Sequence, residues 1–494
     1  MTASGAVAAG HEVTAGVAAK ILRAGGNAYD AVIAALWAAC IAEPVLASPA
    51  GGGFVLARPA DGAPELYDFF VSTPQCRAPD SAIDFRAVHA DFGTTTQEFH
   101  IGAGAAAAPG FVPGLFAVHD ELASMDMADL IAPAVQLARA GIRITPFQAK
   151  VFEIVRPILT DEAASRALFA PEGDVIGAGA HFQNHDLADT LEDIAANGAA
   201  AIGGGALARK IAEQVQLAGG HLTDADLSSY QVMRREPLAG NIGDAHVWTN
   251  PPPAAGGVMV LMILAAMAGQ HGTLALAQAI DQADRIRRGG KITGGEFATQ
   301  PHLLAAFEEI AATPARRGTT HVSVIDANGN AAAATVTNGE GNGQMVGGFM
   351  LNNMLGEADL NPQGFGKWAE GVRLASMMAP TIVELDEEII ALGSGGSNRI
   401  RSAIAAVTAH LIDGMRLEPA IISPRLHIEG GHLNFEDLFD ACERTGLVEL
   451  FADHLAWAER SVYFGGVHAV ARHNDGTFEA AGDPRRDGVG MIVD

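Results

Sequence analysis

The chain has 494 residues, 49% of them hydrophobic and 18% charged, with 58 glycines spread through it. That composition excludes a fibrous or disordered protein and describes a compact α/β-type globule, long enough for about three ordinary domains or one large layered enzyme. With 57 acidic against 31 basic residues the net charge is −26, which argues against nucleic acid and anionic lipid as partners.

The N-terminal MTASGAVAAGHEVTAGVAAK lacks the basic and continuous apolar regions of a secretory signal. Apolar runs such as Val258 to Ala268 fall far short of the ~20 residues a membrane-spanning helix needs. A soluble, cytoplasmic protein is the expectation. Cys40, Cys76 and Cys442 stand alone, which predicts neither a disulfide framework nor a structural zinc site.

Residues 13 to 42 predict two helices joined at Gly25 and Gly26, the second opening near Asn27. AGGGFVLARP (50 to 59) is a glycine turn feeding a strand, and GAGAAAAPGFVPGL (102 to 115) a second small-residue stretch where backbone passes close to something. Residues 120 to 230 carry mostly helical periodicity with acidic faces, and PPPAAGGVMVLMILAAM (251 to 267) sets a proline turn before a very apolar helix. Between 286 and 318 the pattern weakens, and RIRRGGKITGGEFATQ reads as an exposed break. From 319 onward the texture is strand-rich: THVSVID, NAAAATVT, PTIVELD and EIIALGS, then the helix RIRSAIAAVTAHLID.

TTHVSVID, the turn ANGN and NAAAATVT predict a β-hairpin over residues 319 to 337. A turn centred on Asn328 faces Thr319 with Thr337, within reach of a hydroxyl-to-hydroxyl hydrogen bond, whereas one centred between Asn328 and Gly329 pairs Thr320 with Thr337. A solvated threonine pair is the plain alternative to a functional one. GSGGSNRI (393 to 400) lies between a strand and a helix, so its backbone N–H groups make a concave donor site for a phosphate or an oxyanion. Its match to a dinucleotide fingerprint is poor, because Asn398 stands where the third glycine belongs. His427, Glu429 and His432 are a candidate metal set, set against ordinary strand-end histidines.

TTHVSVIDANGNAAAATVT, LNN (351 to 353), SMMAPTIV (376 to 383) and GSGGSNRI together resemble the C-terminal subunit of the γ-glutamyltransferase (glutathione hydrolase) family. ILRAGGNAYDAV, the AGGGF turn, APGFVPG and PPPAAGGV are similar to its large subunit, so the resemblance runs over nearly the whole chain. It implies an α+β fold, a four-layer αββα sandwich of the N-terminal-nucleophile hydrolase type. One precursor cuts itself between Gly318 and Thr319 into a large segment, 1–318, and a small segment, 319–494, which stay associated as one composite domain.

In that scheme Thr319 is the nucleophile and its freed α-amine, with an ordinary pKa of ~7.7 to 8.0, is the base. Thr337 orients the Thr319 hydroxyl, and the N–H groups of Gly396 and Ser397 match the oxyanion hole, with Ser397 replacing a glycine. The donor pocket departs from the family. Phe70 stands in place of the arginine that grips the donor carboxylate, Gly339 of an asparagine, Met354 of a glutamine or glutamate, and Glu357 of an aspartate. Ser376 is retained and Met377 replaces its neighbour, while Arg373 or Arg399 is left to compensate for the missing arginine.

The resemblance implies no cofactor and a small-molecule amide substrate, with homo-oligomerisation left open. γ-Glutamyl amides such as glutathione are the default donors. An amidase for another acyl group and an uncut, non-catalytic binding protein are the competing readings.

Overall fold

The computed structural model describes residues 3–79, 82–91, 96–267, 269–289, 301–310, 318–357, 360–361 and 364–494. Much of the stretch read as a break lies outside the described residues; within it, the helix Thr273–Arg287 ends and a helix forms over Pro301–Ile310.

Two sheets stack face to face. The first has seven strands in the order Val489–Val493, Gly5–Ala9, Thr320–Asp326, Ala331–Thr337, Gly52–Arg58, Glu65–Phe69 and Met233–Arg235. The second has six: Phe478–Gly482, Gly466–His473, Glu388–Gly395, Thr381–Glu384, Ala245–Thr249 and Leu238–Ile242. Residues before and after position 319 supply strands to both sheets, so neither segment forms a core of its own.

Strand alternation divides the apolar residues between two cores. On the outer face of the first sheet, Val7, Val322, Val324 and Val336 pack under the helices Glu12–Arg23, Ala28–Ala42 and Phe111–Leu122. On its inner face Ala8, Leu56, Ile325 and Ala333 meet the second sheet, whose far side carries the helices Ala255–Met267, Thr273–Arg287 and Arg399–Ile412. The result is the expected αββα sandwich. With both faces covered, Thr320–Asp326 is buried at every position, so its polar residues His321 and Ser323 need partners inside the protein.

The hairpin forms in the first of the two registers, with Thr320 opposite Val336 and Ile325 opposite Ala331. Asp326 organises the turn by accepting from the N–H groups of Asn328 and Asn330, and Gly329 takes φ +91°. Pairing of Thr320 with Thr337 does not occur, because Gly329 and Asn330 belong to the turn and not to the ladder.

Close backbone approach explains the glycine turn. A Cβ on Gly53 would stand 2.4 Å from the carbonyl oxygen of Thr335, and one on Gly51 2.4 Å from that of Thr337. The side chain of Asn352 ties three motifs together, donating at 2.9 Å to the carbonyls of both Ala50 and Ala107 and accepting from the Met354 N–H.

Candidate active site

Adjacent residues of one strand point to opposite faces, and this separates the two threonines. Thr320 faces the helices, where its hydroxyl donates at 2.6 Å to Glu43 Oε2, while the Thr14 hydroxyl holds Oε1 at 2.9 Å. Burial raises the Glu43 carboxyl above the usual carboxylate range. Thr319 lies on the inter-sheet side and lines a cavity.

The hydroxyl of Thr337 donates to the carbonyl oxygen of Gly318 at 2.5 Å and accepts from the Gly339 N–H at 3.0 Å. The expected direct bond between the Thr319 and Thr337 hydroxyls is replaced by this contact with the carbonyl of the preceding peptide. Gly318 is anchored from its other side, its N–H donating to Glu340 Oε1 at 2.9 Å. Arg486, buried and stacked 5.7 Å from the Phe147 ring, donates to the Thr319 carbonyl at 2.9 Å. Burial pushes this guanidinium down to about 10.

The glycine loop comes up from the second sheet. A Cβ on Gly395 would stand 2.1 Å from the Thr319 carbonyl oxygen, so the strand end and the nucleophile strand touch backbone to backbone. Gly396 takes φ +124° against Gly465, and Ser397 adopts the left-handed conformation at φ +64°. A glycine accepts that conformation without the steric cost a serine carries. Both positions precede the helix Arg399–Ile412, whose N-terminal end favours developing negative charge.

The cavity around Thr319 is small, about 10 Å³. Thr337, Ser376 and Ser397 supply its polar lining, and Phe70, Leu360, Met377, Met378 and Ile400 its apolar wall. Phe70 is fully buried and stacks on Phe54 at 5.7 Å. Ser376 Oγ accepts from the Met378 N–H. Gly339, Met354 and Glu357 are not among the lining residues. Met354 is buried in the inter-sheet core, and Gly339 has φ +66° with Asn353 and Glu357 packed against it.

Arg373 does not supply the missing cation. It is ion-paired to Asp68 at 3.3 Å, bonded to the Phe70 carbonyl and the Tyr230 hydroxyl, and stacked 4.7 Å over the Tyr230 ring, facing a different cavity. Arg399 faces yet another cleft, donating to the Tyr463 carbonyl at 2.8 Å and lying 4.7 Å over that ring.

In the candidate metal set His427 Nε2 lies 3.9 Å from Glu429, but His432 is taken by another partner. His432 pairs with Asp453 at 2.9 Å, while Glu429 accepts from Arg287 and Asn398. His427 is bonded to Ser402, and burial pulls it down to about 4. Among the described residues no three His, Cys, Asp or Glu side chains form a metal-binding group.

The sequence model of gamma-glutamyltranspeptidase matches residues 14–288 and 287–493. The chain belongs to the γ-glutamyltranspeptidase family. Over 527 residues it is 29% identical to the acylase ACY 1 proenzyme of Pseudomonas sp. (strain V22), covering 99% of this chain and 93% of that one. It is 26% identical over 547 residues to the glutathione hydrolase proenzyme of Bacillus subtilis (strain 168), covering 99% and 91%. In structure it resembles a cephalosporin acylase from Bacillus halodurans, with a TM-score of 0.84 at 21% identity over 99% of this chain and 96% of that one.

As a γ-glutamyltranspeptidase family member the chain is an enzyme, a self-processing N-terminal-nucleophile amidohydrolase or acyltransferase. The structure brings six of the expected site residues, Thr319, Thr337, Phe70, Ser376, Met377 and Ser397, together around one cavity. Sequence reasoning missed Glu43, Glu340 and Arg486. None of them belongs to a local pattern that marks it: Glu43 and Arg486 are brought in by distant parts of the chain, and Glu340 follows Thr337 by three residues in a loop.

Proposed function

We propose that the chain cuts itself between Gly318 and Thr319, and that Thr319, as the new N-terminus, hydrolyses or transfers the acyl group of small amides. The observation that carries this is the Thr337 hydroxyl on the Gly318 carbonyl, one residue from a threonine that lines a cavity with Ser397. Donation to that oxygen polarises the carbonyl and supports the charge that develops on it. The Thr319 oxygen bonds to the Gly318 carbon, the C–N bond breaks, and the hydroxyl proton ends on the nitrogen, which becomes the α-amine. Water then hydrolyses the ester.

In turnover the α-amine takes the hydroxyl proton and passes it to the leaving amine. The Gly396 and Ser397 N–H groups are suited to receive the oxyanion. Pairing of Gly5–Ala9 with Thr320–Asp326, and of Gly52–Arg58 with Ala331–Thr337, supports continued association of the two fragments.

γ-Glutamyl amides are the family's default donors, as the glutathione hydrolase relatives suggest. The wall of Phe70, Met377 and Met378 favours a second reading, a small acyl group without an amino-acid head, in line with the acylase relative. Losing a bidentate arginine removes one of the stronger contacts to a carboxylate.

Intact mass of the purified protein tests the cut, with Thr319→Ala as control. Two fragments meeting at Gly318 and Thr319, absent from the control, are expected; a single full-length mass after incubation under maturing conditions overturns the reading. Comparison of γ-glutamyl-4-nitroanilide with butyryl-4-nitroanilide then separates the two donor classes.

A further inference from the structure

Arg486 reaches Thr319 from the short turn Pro484–Arg486, near the end of the chain. Its Nη1 donates at 2.9 Å to the Thr319 carbonyl oxygen. A Cβ on Gly395 would stand 2.5 Å from that Nη1 and one on Gly466 2.9 Å from the Arg486 Cδ, so two strands of the second sheet make room for this one side chain. It is buried, and burial together with Arg399 pulls its pKa down while Glu43 and Asp483 hold it up. At about 10 it keeps its charge at neutral pH. A neutral amide could make the same hydrogen bond without the cost of burying a charge, so the charge itself needs a reason.

The residue that offers this carbonyl also carries the hydroxyl and, after the cut, the α-amine. Amine and carbonyl are joined through one carbon, which puts the guanidinium roughly 4–6 Å from the amine, the range in which a like charge favours the unprotonated form. The carboxylates around the amine act the other way. Glu340 accepts from the Gly318 N–H, Glu43 from the Thr320 hydroxyl, and Glu357 packs against Gly339. His321 and His468, on neighbouring strands, are kept neutral by burial, and the next cation, Arg399, is held over the Tyr463 ring. Without Arg486 the fixed charge around the amine is dominated by carboxylates, and an amine that holds its proton at pH 7 cannot take one from the Thr319 hydroxyl.

We propose that Arg486 is a positioning residue for the reaction: through the carbonyl it fixes Thr319, and by offsetting Glu340 and Glu43 it leaves the Thr319 α-amine unprotonated, and so able to act as base, at neutral pH. The proposal rests on Thr319 being the nucleophile. As the Thr319 oxygen bonds to the acyl carbon the amine takes the hydroxyl proton, and as the carbon–nitrogen bond breaks it gives that proton to the departing nitrogen. Arg486 exchanges no proton in either step.

Trace labelling of the cut protein with acetic anhydride across the range around the ordinary α-amine pKa of ~7.7 to 8.0 tests it without a substrate. Only the free amine reacts, and the mass of the small fragment's N-terminal peptide gives the extent of reaction at Thr319. Arg486→Gln, which removes the charge and keeps an amide donor, is expected to raise the midpoint by about one pH unit or more, and Arg486→Lys to leave it nearly in place. A residue that only braced the fold would change the yield of cut protein and not the midpoint. An unchanged midpoint in Arg486→Gln, or an equal rise in Arg486→Lys, overturns the proposal. If Arg486→Gln stays uncut, Glu43→Gln decides: losing one of the carboxylates that Arg486 offsets is expected to lower the midpoint by about half a pH unit, and no change overturns the proposal. A wild-type protein that never cuts has no free Thr319 amine, which overturns the nucleophile instead, so the two failures are distinguishable.

Discussion

The hydroxyl of Thr337 lies 2.5 Å from the carbonyl oxygen of Gly318, across a hairpin whose register brings position 337 level with position 319. A side chain 19 residues further along the chain thus bears on the Gly318 carbonyl. Removing a single donor of this kind typically slows a reaction about 10²- to 10³-fold. Thr337→Ala is accordingly expected to slow self-cleavage by that factor, and Thr337→Ser to retain most of the rate. A time course of fragment formation on denaturing gels checks it, and equal rates for wild type and Thr337→Ala would remove the hydroxyl from the reaction.

Ser397 carries a side chain in a conformation that glycine accepts freely, at φ +64°. The left-handed region costs an L-residue about 1 to 2 kcal/mol, partly offset by the extra freedom glycine has when unfolded. Ser397→Gly is expected to gain up to about 1 kcal/mol and to keep turnover within a few-fold, because the N–H remains. Ser397→Val is expected to lose stability. Urea midpoints and kcat measured together decide between this and a catalytic role for the serine hydroxyl, which would show as lost kcat in Ser397→Gly.

Restoring the family asparagine at position 339 is predicted to fail. A Cβ there would stand 2.0 Å from Asn353 Oδ1 and 2.5 Å from Glu357 Oε1, on a backbone with φ +66°. Overpacking of this kind costs about 1 to 3 kcal/mol. Gly339→Asn is expected to be destabilised by that amount, with no gain in γ-glutamyl-4-nitroanilide hydrolysis. Denaturation and steady-state rates test the two halves separately.

Buried histidines set the acid limit. Burial holds His427 and His468 down to about 4 and His321 well below its ordinary value. Each binds its proton more readily in the unfolded chain. Stability from this source is therefore complete above about pH 6.5 and is lost as the pH falls toward 4, at no more than about 1.4 kcal/mol per pH unit for each histidine. Urea unfolding between pH 7 and 5 should show that decline, with a shallower slope in His427→Gln. A flat profile would mean that these groups take up protons as readily in the folded protein as in the unfolded chain.

Some of this was legible from residue order. The helix pair, the glycine turns and the hairpin follow from periodicity and turn chemistry, which act between neighbours, whereas the choice between its two registers does not. The same locality explains the errors. Arg373 and Arg399 were both candidates for the vacant carboxylate site because sequence gives a guanidinium but not its direction. Asp68 and Tyr230 claim the first, and Tyr463 turns the second toward another cleft. His427, Glu429 and His432 are near neighbours in sequence, but Arg287 and Asn398 engage Glu429 and Asp453 engages His432.

The sequence alone determined the strand that follows Thr319, the hairpin it opens, and the glycine loop that holds Gly396 and Ser397 between a strand and a helix. Those features are fixed by period-two alternation, by an Asn-Gly turn and by motifs that are contiguous in the chain. Only the tertiary structure decided what each threonine touches. Stacking the sheets turns Thr319 toward the cavity and Thr320 toward Glu43, and it brings Arg486, 167 residues away in sequence, onto the Thr319 carbonyl. Contacts at that separation depend on how layers pack, a relationship that no local pattern of residues encodes.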